Sequence, residues 1–290
     1  MTYPEFPDIP ALSAALDAAG YLPDEGVATA AYLAIGMRRP LLLEGDPGVG
    51  KTALAQALAD VVGAELVRLS CYEGIDASQA LYDWDFPRQL LHLRSAENGG
   101  GDERSVYDRR FLIARPILRA LETSPAVLLV DEIDRADDEF EAFLLEVLAD
   151  NAVTIPELGT IKPAEPPIVL LTSNRTRELH DALKRRCLYH WVSHPGLERE
   201  VEIIRRHQPE VAERLARQVA AGVAAMREAG LVKSPGIAEA IDWATALRLL
   251  GATELNLPAV RATLGAVLKY REDQVTAERD VLPGFLARLG

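Results

Sequence analysis

Residues 45–52 read GDPGVGKT, three glycines leading into a lysine and a threonine, with the apolar run Pro40-Leu41-Leu42-Leu43 before them and the helix-forming run Ala53–Ala59 behind. Strand, glycine-rich turn and helix is the setting in which such a loop binds phosphate. Glycines let the backbone curl until several N–H groups point at one anion, and the following helix adds the positive end of its dipole. Gly45, Asp46, Pro47, Gly48, Val49 and Gly50 are therefore candidate phosphate contacts. Lys51 is expected to reach the β and γ phosphates, and the Thr52 hydroxyl to bind Mg²⁺.

A phosphate loop accounts for binding a triphosphate but not for cleaving it. The run Ala126–Val130 is apolar, of strand length, and ends in Asp131-Glu132. Asp131 is expected to hold the metal together with Thr52, and Glu132 to orient or deprotonate an attacking water. Ahead of the loop, Tyr21-Leu22-Pro23 either walls an adenine ring or packs under the sheet, since apolar side chains serve both purposes. The ligands these residues ask for are ATP and Mg²⁺.

The surrounding elements follow from pattern. Continuous rather than alternating apolarity at 126–130 and at Ile168–Leu171 indicates strands covered on both faces, hence a parallel sheet between helices. Asp24 and Glu25 open a helix reaching about Met37, Glu65–Ser70 reads as a strand, and Phe140–Ala149 as an amphipathic helix. Leu112–Glu122 carries a helical pattern in which Pro116 suits a first turn. Val153–Ile155 and Thr160–Lys162 flank a turn and predict a hairpin. Residues 71–110 read as an exposed loop with an Asn98–Gly101 tip; Tyr72, Tyr82 and Trp84 within it suit a core more than a contact patch. From Pro195 onward, helical periodicity with Arg/Glu pairs replaces the strands, and those pairs read as a solvated face.

The formal charge of −13 lies entirely in the first part: residues 1–195 hold 31 acids and 18 Lys/Arg, residues 196–290 hold 13 of each. That balance argues against nucleic acid as the main partner. With neither a long apolar span nor a basic, apolar leader, the expected compartment is the cytoplasm and no membrane span is expected. Cys71 and Cys187 are far apart in sequence and predict buried thiols. His190 and His194 lie four apart in strand-like sequence and do not suit a zinc pair.

GDPGVGKT, LLVDEIDRA (Leu128–Ala136), LLTSN (Leu170–Asn174) and LKRRC (Leu183–Cys187), in that order, resemble the AAA+ ATPases of the MoxR family. The strings CYEGIDASQALYDWDFPRQLL, FEAFLLEVLAD, ELGTI and TSNRTRELHDALKRRCLYHW resemble its CoxD-like, CO-dehydrogenase-maturation subgroup. The resemblance implies an α/β P-loop NTPase domain over 1–195, with a helix-2 insert near 75–110 and a hairpin near 153–162, and an α-helical lid over 196–290. It implies that Asn174 is sensor 1 and that Arg186 is an arginine finger acting on a neighbouring subunit, with Arg185 its rival. It further implies a ring, expected to be a hexamer, a partner with a von Willebrand factor A (VWA) domain, and a client metalloenzyme such as a molybdenum CO dehydrogenase. A nucleotide-gated adaptor with slow hydrolysis and a small-molecule kinase are the alternative functions. One departure stands out: where relatives open a lid helix with Ser-Pro-Arg, this chain reads Ser234-Pro235-Gly236, and Lys233 is either a distant substitute for the missing arginine or a solvated charge.

Overall fold

Contacts divide the chain into two compact units, one comprising Met1–Glu44 and Lys51–Trp191, the other Gly45–Gly50 and Val192–Gly290. The computed structural model describes residues 3–97 and 106–288, so the Asn98–Gly101 tip lies outside the described residues. The first unit runs α1 (Ile9–Ala18), α2 (Glu25–Met37), β1 (Leu41–Glu44), α3 (Lys51–Val62), β2 (Glu65–Ser70), α4 (Ala77–Ala80), β3 (Tyr82–Trp84), α5 (Phe86–Glu97), β4 (Leu112–Ala114), α6 (Pro116–Glu122), β5 (Ala126–Asp131), α7 (Asp138–Asp150), β6 (Val153–Ile155), β7 (Gly159–Ile161), β8 (Ile168–Ser173), α8 (Asp181–Arg186) and β9 (Leu188–Trp191).

β1, β2, β5, β8 and β9 form one parallel sheet in the order β2-β5-β8-β1-β9. The inner strands β1, β5 and β8 are mostly apolar and buried along their length because both faces are covered, whereas the edge strands expose Glu65, Arg68 and Ser70 on β2 and Tyr189 and Trp191 on β9. Leu42, Leu69, Leu128, Val130 and Leu171 share a core with Ile117 and Leu118 of α6 and Phe140 and Leu144 of α7. Leu41, Leu43, Val127, Leu129 and Leu170 are buried as well, and α3 packs against β5 and β8. Aspartates begin the helices: Asp24 accepts the Val27 N–H at 2.7 Å and Asp137 that of Phe140 at 2.9 Å, each satisfying a donor the first turn leaves free. β6 and β7 pair as a hairpin, Val153 opposite Ile161.

Two readings of the segment after β2 need correction. Leu112–Ala114 is not the start of a helix but strand β4, antiparallel to β3. Arg115 precedes a proline and is extended at φ −86°, ψ 174°, the conformation proline imposes on its predecessor, so the helix starts only at Pro116. Nor is the whole segment exposed: Cys71, Ile75, Ala80, Leu81, Phe111 and Leu112 are buried, and Tyr82 and Trp84 pack onto the core while Tyr72 stays exposed.

The second unit folds as α9 (Leu197–His207), α10 (Glu213–Arg227), α11 (Ile237–Leu249), α12 (Leu257–Val267), α13 (Arg271–Thr276) and α14 (Leu282–Ala287) around Trp243, whose indole N–H donates to Thr263 Oγ1 at 2.8 Å. One Arg/Glu pair is not a solvated face. Arg227 grips Glu200 with two 2.7 Å bonds, and the carboxylate is 1 % exposed. Among the described residues, no helix is long and apolar enough to cross a membrane.

Candidate nucleotide site

In open parallel sheets, ligands gather outside the carboxyl ends of the strands, and in the first unit those ends carry the expected acids. Asp131 closes β5 and is 4 % exposed. Its Oδ1 accepts from Thr52 Oγ1 at 3.0 Å and from Thr172 Oγ1 at 2.6 Å, and its Oδ2 pairs with Arg68 of β2. α3 therefore delivers Thr52 to the strand acid that the sequence paired with it.

Glu132 follows in a left-handed conformation, φ 55°, ψ 49°. A residue with a Cβ is disfavoured there by roughly 1–2 kcal/mol, so the surroundings must hold it. Thr172 Oγ1 accepts the Glu132 N–H at 2.9 Å. Asn174, just beyond β8, donates from Nδ2 to Glu132 Oε1 at 3.1 Å, and Arg135 Nε lies 2.9 Å from Oε2. One carboxylate is thus tied to the Thr52 hydroxyl, and its neighbour to the Asn174 amide.

Several participants escaped sequence reasoning. Thr172 bridges Asp131 and Glu132 but reads as an ordinary strand residue. Glu44, at the end of β1, is 4 % exposed; it accepts from Ser173 Oγ at 3.3 Å and has Arg175 Nε at 3.9 Å. A carboxylate ending the run Leu41-Leu42-Leu43 was the visible signal. Tyr189 also hydrogen-bonds Glu44, and its phenol is pushed above the usual range by burial and then by that carboxylate. Burial also pushes the Cys71 thiol up to about 12, with Asp131, Asp134 and Glu132 adding to the effect, and burial raises Cys187 to about 12. Neither is a nucleophile at neutral pH.

The glycine loop owes its shape to left-handed torsions, with φ 79° at Gly48 and 96° at Gly50. A Cβ at Gly45 would lie 2.2 Å from the Val192 carbonyl oxygen. Asp46 faces His194 Nε2 at 3.5 Å. His190 lies elsewhere, against Gly26 of α2.

The loop also explains the Ser-Pro-Gly departure. Ile237 N–H donates to Gly48 O at 2.9 Å, and a Cβ at Gly236 would lie 2.8 Å from Gly48 Cα. An arginine cannot stand where the α11 cap touches the loop backbone. Lys233 is exposed, and its main-chain N–H is held by Asp273 at 3.1 Å. Gly236→Arg is accordingly expected to weaken nucleotide binding by about 10-fold or more, from an overpacking cost of about 1–3 kcal/mol. Titration with a fluorescent ATP analogue checks this; tighter binding would show that the position accepts the arginine.

Arg185 and Arg186 end α8, exposed, and neither guanidinium has a partner among the described residues. Tyr21 sits half-buried in the turn between α1 and α2, and α1 packs on α3. The donors fit Mg²⁺: a hydroxyl and a carboxylate are hard oxygen ligands, and this ion takes one or two carboxylates plus substrate phosphates rather than an all-protein cage.

The AAA domain of the dynein-related subfamily matches residues 40–187. Midasin of Giardia intestinalis is 35 % identical over 126 residues, 43 % of this chain and 2 % of midasin. Protein MoxR of Methylorubrum extorquens is 30 % identical over 122 residues, 42 % of this chain and 30 % of that protein. Chaperone MoxR1 of Mycobacterium tuberculosis is 29 % identical over 176 residues, 57 % of this chain and 39 % of that protein. This chain spans less than two thirds of the length of each of these curated relatives. The matched half of the chain contains the glycine loop, the strand-end acids, Asn174 and α8, so the protein belongs to the AAA+ ATPases, with an AAA domain of the dynein-related subfamily and similarity to MoxR proteins.

Proposed function

We propose that the chain is a Mg²⁺-dependent ATP hydrolase that works in a ring, with a hexamer the expected size, and remodels a client protein in the cytoplasm. The observation that carries it is the Asn174–Glu132 hydrogen bond, 3.1 Å long, beside an Asp131 already bonded to Thr52. In this reading the loop Gly45–Gly50 and Lys51 hold the phosphates, and Thr52 and Asp131 hold the metal. Mg²⁺ would neutralise charge on the phosphates. Glu132, positioned by Asn174, takes the proton of the attacking water, Tyr21 walls the adenine, and Arg186 or Arg185 reaches the neighbouring subunit's nucleotide.

Phosphate release measured with and without EDTA tests this. Turnover should need Mg²⁺ and vanish in Lys51→Ala, whereas equal release by that variant would overturn the proposal. Light scattering with ATP should give a ring mass; a monomer with full activity would remove the ring.

The client class rests on the CO-dehydrogenase-maturation resemblance, and the word chaperone in the MoxR1 name supports protein remodelling. We assign a VWA-domain protein as partner and a molybdenum CO dehydrogenase as client. ATP-dependent activation of that client should require both this chain and the partner, and activation by Lys51→Ala would refute it. A nucleotide-gated adaptor is the second reading, favoured by the main-chain contact of Gly48 with the α11 cap in place of a lid arginine. Remodelling that proceeds with a non-hydrolysable analogue would select it.

A further inference from the structure

α8 has six residues, too few for stability of its own, so whatever holds its ends sets its direction. At its carboxyl end stands Arg39, two residues before β1. Arg39 Nη2 donates to Arg185 O at 2.8 Å and to Cys187 O at 3.3 Å, and its Nε donates to Arg186 O at 3.2 Å. These are carbonyls a helix cannot satisfy itself, and a guanidinium there meets the negative end of the dipole.

At the amino end stands Glu141 of α7, a carboxylate 1 % exposed. Its Oε2 accepts the His180 N–H at 2.9 Å, and its Oε1 pairs with Arg177. Arg177 Nε in turn donates to Ala136 O at 2.8 Å and its Nη1 to Glu178 O at 3.0 Å. Lys184 is engaged by Glu178. The main chain of α8 is therefore held at both ends by charged side chains, while the guanidinium groups of Arg185 and Arg186 are left unpaired among the described residues. A purely solvated basic cluster needs no such fixing.

We infer that Arg39 and Glu141 are positioning residues for the arginine finger: they fix α8 so that Arg186 meets nucleotide on the adjoining subunit. The inference rests on the ring reading above.

Mixed assemblies of full chains test it. An Arg39→Ala subunit keeps its own site and misplaces its finger; a Lys51→Ala subunit has a dead site and a sound finger. Arg39→Ala alone should lose on the order of 10- to 100-fold in kcat, the scale of an approximately 1 Å misplacement, with unchanged binding of a fluorescent ATP analogue. Mixed equally with Lys51→Ala, it should recover about a quarter of wild-type turnover: half of the sites are competent, and half of those receive a sound finger across a heterologous ring contact. Arg186→Ala mixed with Lys51→Ala is the control.

Rescue of Arg186→Ala without rescue of Arg39→Ala overturns the inference and leaves the finger intact. Rescue of neither overturns the ring reading itself. Should Arg39→Ala lose its cooperative thermal melt, Glu141→Gln, which keeps an acceptor for His180 and removes the charge facing Arg177, goes through the same mixing, and its failure to be rescued while folded overturns the inference.

Discussion

Replacing Glu132 with glutamine is expected to lower ATP turnover by about 10³-fold, within the range of roughly 10² to 10⁴ that a positioned general base contributes, while leaving ATP binding intact. The substitution is nearly isosteric. Glutamine retains an oxygen for the 3.1 Å bond from Asn174 Nδ2 and changes nothing at the Glu132 N–H bonded to Thr172. The left-handed backbone at φ 55° therefore keeps its supports. What disappears is a group able to accept a proton at neutral pH. Asp131 cannot replace it, because both its oxygens are engaged, by Thr52 and Thr172 on one side and Arg68 on the other. Single-turnover phosphate release alongside equilibrium binding of an ATP analogue separates the two quantities. Wild-type turnover in Glu132→Gln would move the base elsewhere; loss of binding would make Glu132 a structural residue.

Removing the guanidinium of Arg186 is expected to cost about 10³- to 10⁵-fold in turnover, the effect of losing an arginine finger. Arg185→Ala should cost far less. The argument is one of environment. Both side chains stand exposed at the end of α8, so in an isolated chain their loss would alter stability little, as surface substitutions generally do. A large kinetic effect without a change in melting temperature is what a neighbouring subunit's nucleotide, brought to them in a ring, would produce. Parallel assays of the two alanine variants, with thermal melts as controls, decide between them. Equal, small effects would leave α8 a solvated basic cluster.

The sites legible in the sequence were those whose chemistry is local. GDPGVGKT announces itself because glycines are needed where the backbone runs left-handed, as at Gly48 and Gly50. Asp131 and Glu132 were visible as acids ending a continuous apolar run, and the buried parallel strand β5 is the physical reason for that pattern. The expectations for Asn174 and Arg186 needed the whole series of motifs, since an amide after a strand or an arginine on a short helix has many uses.

The segment after β2 was misread for a different reason. Its short pieces carry no long period, and β4 exists only because Tyr82–Trp84 lies opposite to pair with it.

Residue types at short spacing thus carry the candidate site on their own: the glycine loop, the acids that end a strand and the strands that deliver them all follow from local backbone needs and from continuous apolarity. Tertiary structure alone decides what is non-local. Thr172 bridges the two acids, Glu44 meets Ser173 and Arg175, and Arg39 caps a helix more than 140 positions away. Gly236 is likewise a glycine for a reason no spacing could show, because its neighbour is the Gly48 backbone. Such contacts depend on sheet order and packing distance, which bring together side chains whose separation in sequence carries no periodic trace.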